Sequence, residues 1–389
     1  MHHQTQKPRL LFVLKNRPPG TYGTWSYSDN GGHLSSGLNN SVRFIVDMLN
    51  ADGVEAKMVH VIDNNFIDRE VKAYRPTHVI IEAYWVVPEK FDVLKKLHPS
   101  VTWIVRDHSK SEFLSNEGIA FGWTLDYLAR GVEIAANSPQ AVTDMRNLAI
   151  AAGYPRELVT YLPNYYPLDW TARNEAYTRN AFGLPNWDLG AIPALLEKLF
   201  SSDRAVDYQP NRAVINIGCF GAIRPLKNTM NQALAAIHFA HKHDFLLRFH
   251  INGNRVEGNG QPIKKNLHEV FDRLAPAGFE LVAHSWLDHD KFLVLAAQMD
   301  IMSQVAFSET FNIVGADAVA VDVPVIGSNE IPWLPTAQCA NPNDVDDIVE
   351  KYEYALDLDT DMQWECLHHY STLTEEIWTE RFNPVDLCD

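Results

Sequence analysis

Eleven short apolar runs, separated by amphipathic stretches, limit what this chain can fold into more than any other feature. Six lie in the first 165 residues: LLFVLKN (10–16), AKMVHVI, THVIIEAYW, VTWIVRD, VEIAANS and LVTYLP. Five follow after residue 210: AVINIGCFG, LLRFHINGN, FELVAHSW, DIMSQVA and VPVIGS. Strands apolar on both faces, with helices between them, form parallel sheets covered on both sides. The intervening periodicity predicts a helix opened by Ser35 or Ser36, with Leu38, Val42, Ile45 and Leu49 on one face and a stop at Gly53. Further helices are expected at 65–74, 88–97, 228–242, 263–275, 289–298 and 311–321. The fold class is α/β, with two doubly wound Rossmann-like domains facing a central crevice. Ligands of such sheets bind outside the carboxyl ends of the strands.

The expected domains are 1–165 and 211–361. Between them, 166–210 is a connector rich in aromatics, Asn and Pro, with a short helix near 191–200. Residues 362–382, MQWECLHHYSTLTEEIWTERF, have helical spacing, and a helix over about 362–385 is placed to pack back on the first domain. A length of 389 residues suits two domains, and 46% hydrophobic with 21% charged residues is the balance of a folded chain. The net charge of −16 is misleading until it is located: residues 341–389 hold 2 basic against 14 acidic side chains, whereas residues 1–165 hold 17 of each. The first domain is therefore neutral and not barred from anionic partners. Cys219, Cys339, Cys366 and Cys388 are far apart and form no CxxC pair, so neither a disulfide framework nor a metal site is expected, and a reducing cytoplasm fits. LLFVL is expected to be a buried strand and not a secretory signal, and no run is long enough to span a membrane.

Three segments carry residue types suited to chemistry. In SQVAFSETFNIVGADAVAVDVPVIGSNEIPWL (303–334), Glu309 follows a strand and opens the expected helix, so the backbone N–H groups of Thr310, Phe311 and Asn312 are expected to face an anion. Asp317 falls two turns on, where both carboxylates can face one ligand; taken alone, the pair also fits a helix cap and a solvated acid. In IGCFGAIRPLKN (217–228), Gly221 lets backbone approach a ligand, while Arg224 and Lys227 supply cations. In TWIVRDHSKSEF (102–113), His108 lies just past a strand, with Arg106 and Asp107 as adjacent alternatives. Neither GxSxG, GxxxxGK[ST] nor GxGxxG occurs, which argues against a serine hydrolase, a P-loop ATPase or a typical dinucleotide dehydrogenase.

The first of these segments resembles the retaining GT-B glycosyltransferases of family 4, through Ser308, Glu309, Thr310, Phe311, Gly315, Ala316, Asp317, Ala318, Pro324, Val325 and Gly327. The second acid is Asp317 where that family has Glu. The resemblance implies that Glu309 contacts the donor sugar and Asp317 the ribose, and that Lys227 and Arg224 neutralise the donor diphosphate. Lys227 is in register with the family lysine, whereas the family arginine falls on Ala222, two residues before Arg224. By the same resemblance His108 lies beside the donor sugar, and Gly253 is the strand-end glycine near the donor. Gly31-Gly32 would form the first glycine-rich loop, with Gly32 at the donor, and HSWLDHDKF (284–292) would close over the base.

The implied activity is transfer of a sugar from a nucleotide-diphosphate-sugar donor to an acceptor hydroxyl, with retention and without a metal or other cofactor. The acceptor is open between a glycan and a hydroxymethylated base in DNA. SGLNNSVRFIVDMLN is similar to phage-encoded sequences, which would place the protein in a host cytoplasm, although no basic cluster marks a DNA surface. A nucleotide-sugar 2-epimerase and a catalytically silent GT-B sugar-binding protein are the alternatives.

Overall fold

Residues 10–14 are each 2% exposed or less, which only the centre of a sheet covered on both faces allows. The computed structural model describes residues 7–15, 36–168 and 212–383. Its first sheet consists of β1 (Arg9–Lys15), β2 (Glu55–Val61), β3 (His78–Glu82), β4 (Thr102–Asp107), β5 (Glu133–Ala136) and β6 (Val159–Tyr161). These six run parallel in the order β2-β1-β3-β4-β5-β6. The second sheet consists of β7 (Val214–Cys219), β8 (Leu246–Asn252), β9 (Phe279–His284), β10 (Ile301–Gln304) and β11 (Val325–Gly327). It is parallel as well, in the order β11-β10-β7-β8-β9. All eleven apolar runs become strands, in two doubly wound sheets.

In each sheet the winding reverses once, between β1 and β3 in the first and between β7 and β10 in the second. Those switch points leave crevices at the carboxyl ends of the strands. The first helix, Ser36–Ala51, ends before Gly53 at φ +79°, as the sequence suggests. Helix Pro139–Ala151 escaped the periodicity reading, although Ser138 caps it through Ala141 N and Pro139 takes its first turn. Asp344 caps helix Val345–Ala355, and the polar turn before it is 341–344, closed by Asp344 N–H to Asn341 O at 3.0 Å.

The long helix Asp361–Phe382 belongs to both halves. Trp364 and Leu367 pack with Phe311 and Trp333 of the second, and Trp378 and Phe382 pack with Leu10, Phe12 and Ile80 of the first. The Trp378 indole N–H donates to Pro163 O at 3.0 Å, and Arg381 pairs with Glu133. No helix among the described residues is long and apolar enough to cross a membrane. Residues 169–211, most of the expected connector, and Gly31-Gly32 lie outside the described residues.

Candidate functional site

The two halves of the site are set by the segments leaving β7 and β10. After β7, Gly221 takes φ +118°, a conformation open to glycine, and its N–H donates to Asn252 Oδ1 at 2.8 Å. The chain then pairs with the segment after β8: Ile223 bridges Val256, with Ile223 N–H to Arg255 O at 2.9 Å and Glu257 N–H to Ile223 O at 3.0 Å. A single 3-10 turn, Pro225–Lys227, follows. The segment after β10 is tied to that turn by Phe307 N–H to Leu226 O at 2.9 Å. Lys227 Nζ is thereby brought onto Glu309 Oε2 in a direct ion pair.

Glu309 is held from three sides, by Lys227, by Thr310 N–H at 3.2 Å and by Asn312 Nδ2 at 3.2 Å. Burial alone would push its carboxyl up. The Lys227 ammonium, then Arg224 and the Thr310 N–H, outweigh burial and hold it below the usual carboxylate range. Glu309 is therefore an anion at neutral pH.

The helix after Glu309 begins later than the sequence suggests. It spans Ile313–Ala320, because Asn312 adopts φ +62° and caps it, its Oδ1 accepting from Gly315 N–H at 2.7 Å. The unpaired N–H groups of the first turn thus belong to Ile313 and Val314, not to Thr310, Phe311 and Asn312. Phe311 is 1% exposed and packs on Trp333 and Tyr370, so it anchors the core. Thr310 turns to the other domain: its hydroxyl donates to His108 O at 3.1 Å and accepts from Asn137 Nδ2 at 3.1 Å.

On the first-domain side, His108 Nε2 lies 2.5 Å from Glu82 Oε2. Glu82 also accepts from Arg106 at 3.2 Å. Burial first, then the Arg106 charge, lowers the His108 pKa against the pull of Glu82, so the ring is neutral at neutral pH. Arg106, the alternative to His108, is wholly buried and donates to Leu162 O, Pro163 O and Asn164 Oδ1, holding the chain as it leaves β6. Asp107 is buried too, and burial pushes its carboxyl up to about 7.

A small cavity of about 30 Å³ between the domains is lined by His108, Arg224, Lys227 and Glu309 together. A larger one, of about 160 Å³, shares Arg224 and Lys227 with it and continues along Gly221, Ile313, Val314 and Asp317. Gly37 and Asn40 of the first helix face this larger cavity, as do Arg255, Glu257, Trp286 and His289. Asp317 lines it with an occupied carboxylate: Oδ1 accepts from Tyr166 at 2.9 Å and pairs with His289 at 2.7 Å. Burial raises its pKa despite the His289 contact. Gly253 does not line either cavity. A Cβ there would come 2.7 Å from Ala283 Cβ, so Gly253 serves the packing of β8 on β9. Among the described residues no group of three or more His, Cys, Asp or Glu side chains is arranged to hold a metal.

Glu82, Tyr166, Arg255, Glu257 and Asn137 join the site without having been expected there from the sequence. Glu82 carried a signal, as an acid ending an apolar strand; the others sit in loops with no periodic or spacing cue.

No known family model and no curated protein matches the sequence. Solved structures do match, over nearly the whole chain. An N-terminal domain of trehalose-6-phosphate phosphatase from Candida albicans aligns with a TM-score of 0.60 at 12% identity, covering 97% of this chain and 96% of that one. A trehalose-6-phosphate protein from E. coli bound with UDP-2-fluoro glucose gives 0.56 at 12% identity, over 96% and 98%. A UDP-forming α,α-trehalose-phosphate synthase from Burkholderia xenovorans in complex with glucose-6-phosphate gives 0.58 at 12% identity, over 96% and 98%. At this identity the likeness is one of fold, and the fold is GT-B.

Proposed function

We propose that the chain is a glycosyltransferase that moves a sugar from a nucleotide-diphosphate-sugar donor to an acceptor hydroxyl. The observation that carries this reading is the Lys227–Glu309 pair at the junction of two interdomain cavities, with Arg224 shared by both and His108 opposite. A diphosphate leaving group needs cations, and Arg224, Lys227 and the first-turn N–H groups of helix Ile313–Ala320 supply positive potential along one wall. Ionised Glu309 can accept from sugar hydroxyls, and so can Nδ1 of neutral His108, whose single N–H is directed from Nε2 to Glu82. In the step proposed, the bond from the anomeric carbon to the diphosphate oxygen breaks and a bond to the acceptor oxygen forms. The acceptor bond forms on the face that the diphosphate leaves, so the acceptor proton passes to the departing phosphate oxygen and the configuration is retained. The neutralisation falls to protein cations, in keeping with transfer that needs no metal.

Glu309 lines the smaller cavity and Asp317 the larger, and two of the similar solved structures are named for or with UDP chemistry and glucose-6-phosphate. UDP-glucose and a hexose phosphate are therefore the first pair to try, ahead of a glycan or hydroxymethylated DNA. A second reading, a silent sugar-binding protein, draws on the fold's presence as one domain of a phosphatase. Thermal-shift titration with UDP-, GDP- and ADP-sugars, then mass spectrometry of acceptor mixtures, separates these readings. A stabilising donor and an acceptor heavier by one sugar are expected. Binding without turnover would favour the silent protein, and nucleotide release without any acceptor the 2-epimerase. No shift with any nucleotide sugar would sink the proposal.

A further inference from the structure

Two guanidinium groups face the larger cavity with one carboxylate between them. Arg224 Nη1 lies 3.3 Å from Glu257 Oε2, and Arg255 Nε lies 2.6 Å from Glu257 Oε1. Each guanidinium is also stacked on an aromatic ring. Arg224 sits 4.3 Å from the centroid of Phe113, a first-domain residue, and Arg255 sits 4.4 Å from that of Trp286. The spacing follows from the backbone: the Ile223–Val256 bridge sets Arg224 one residue past one strand segment and Glu257 one residue past the other. Close packing reinforces it, since a Cβ on Gly260 would come 2.1 Å from Ile223 O. The Arg224–Glu257–Arg255 triplet carries one net positive charge, and Lys227, whose partner is Glu309, lies on the same wall.

Two planar guanidiniums sharing two oxygens of one anion is the geometry in which arginine binds phosphate as readily as carboxylate. We propose that Arg224 and Arg255 form a diphosphate cradle in which Glu257 is a placeholder, and that the diphosphate of a nucleoside diphosphate displaces the Glu257 carboxylate from between them. The inference rests on the nucleotide-sugar reading of the site and adds to it a second arginine and an internal competitor. An anion entering this wall meets the negative charge of Glu257, which repels it until the side chain turns away. Glu257 therefore lowers affinity and selects for a ligand carrying enough charge to exchange with it.

The test is calorimetric titration of the full chain and its Glu257→Gln, Arg255→Gln and Arg224→Gln variants with UDP, GDP, ADP and inorganic pyrophosphate. Removing the competing charge while keeping the side-chain shape is expected to tighten pyrophosphate and the preferred nucleoside diphosphate about tenfold, and each arginine variant to weaken both by at least as much. Unchanged or weaker binding in Glu257→Gln would overturn the proposal, because Glu257 would then be a scaffold that fixes the arginines. If that variant does not fold, Arg255→Gln decides, and pyrophosphate affinity equal to the parent's overturns it. Pyrophosphate binding that follows the variants, without binding of any nucleoside diphosphate, would leave the cradle standing and remove the nucleotide-sugar reading.

Discussion

Trp364 and Trp378 lie on one helix and in two different cores, Trp364 beside Trp333 of the second domain and Trp378 beside Phe12 of the first. At about 1.5 Å of rise per residue they are roughly 21 Å apart, so the helix acts as a brace across the crevice. Trp378 is 0% exposed, and Trp378→Ala is expected to cost about 3–5 kcal/mol through cavity formation. Deleting residues 362–389 should expose both cores and abolish transfer. Denaturant unfolding followed by fluorescence checks this. A truncated chain that unfolds with the parent's midpoint would show the brace to be dispensable.

Lys227→Ala and Arg224→Ala are each expected to weaken donor binding by roughly 1.5–3 kcal/mol, the loss of one charge-assisted hydrogen bond. Lys227→Ala has a second consequence, because Glu309 then loses the cation that outweighs its burial and its carboxyl rises. Donor titration at two pH values separates the effects: the Lys227→Ala deficit should depend on pH more strongly than the Arg224→Ala deficit, because Lys227 is the larger of the two charges acting on Glu309.

The Thr310 hydroxyl joins the loop carrying Glu309 to His108 O and Asn137 of the other domain. Thr310→Val keeps the shape and removes both bonds, which costs about 1–3 kcal/mol of closure. A looser crevice admits water to the donor. The variant should therefore show a higher ratio of donor hydrolysis to transfer, with donor affinity little changed. An unaltered ratio would mean that the contact plays no part in closure.

The rings of His250 and His284 are stacked 5.2 Å apart in the second domain, with Nδ1 of one 2.9 Å from Nε2 of the other and Asn216 Oδ1 3.3 Å from His250. Burial lowers both, His284 to about 4 and His250 further, the latter also through His284 and Arg248. Because the folded values lie below the ordinary 6.5, the unfolded chain binds protons first on acidification. The stability tied to neutral rings is complete above 6.5 and is lost as the pH falls from there towards about 4 for His284 and about 3 for His250. The thermal midpoint should drop across that window. His250→Asn should flatten the slope, and an equal slope in the variant would acquit the pair.

The strands were readable because burial on both faces of a parallel sheet demands unbroken apolar runs, a property of consecutive residues such as 10–14 and 79–81. The segments after β4, β7 and β10 were readable for a related reason, since doubly wound sheets present ligands to strand ends, and Lys227 and Glu309 are strand-end residues by sequence alone. The start of the helix at Ile313 was not, because one left-handed residue, Asn312, moved the free N–H groups by three positions. Nor did any spacing announce that Asp317 would be held by Tyr166 and His289, that Glu82 would orient His108, or that Glu257 would lie between Arg224 and Arg255. Ion pairs depend on distances of about 3 Å between groups far apart in the chain. Apolar periodicity, being local, determined the two sheets; the register of strands and the packing of loops decided which charges would meet.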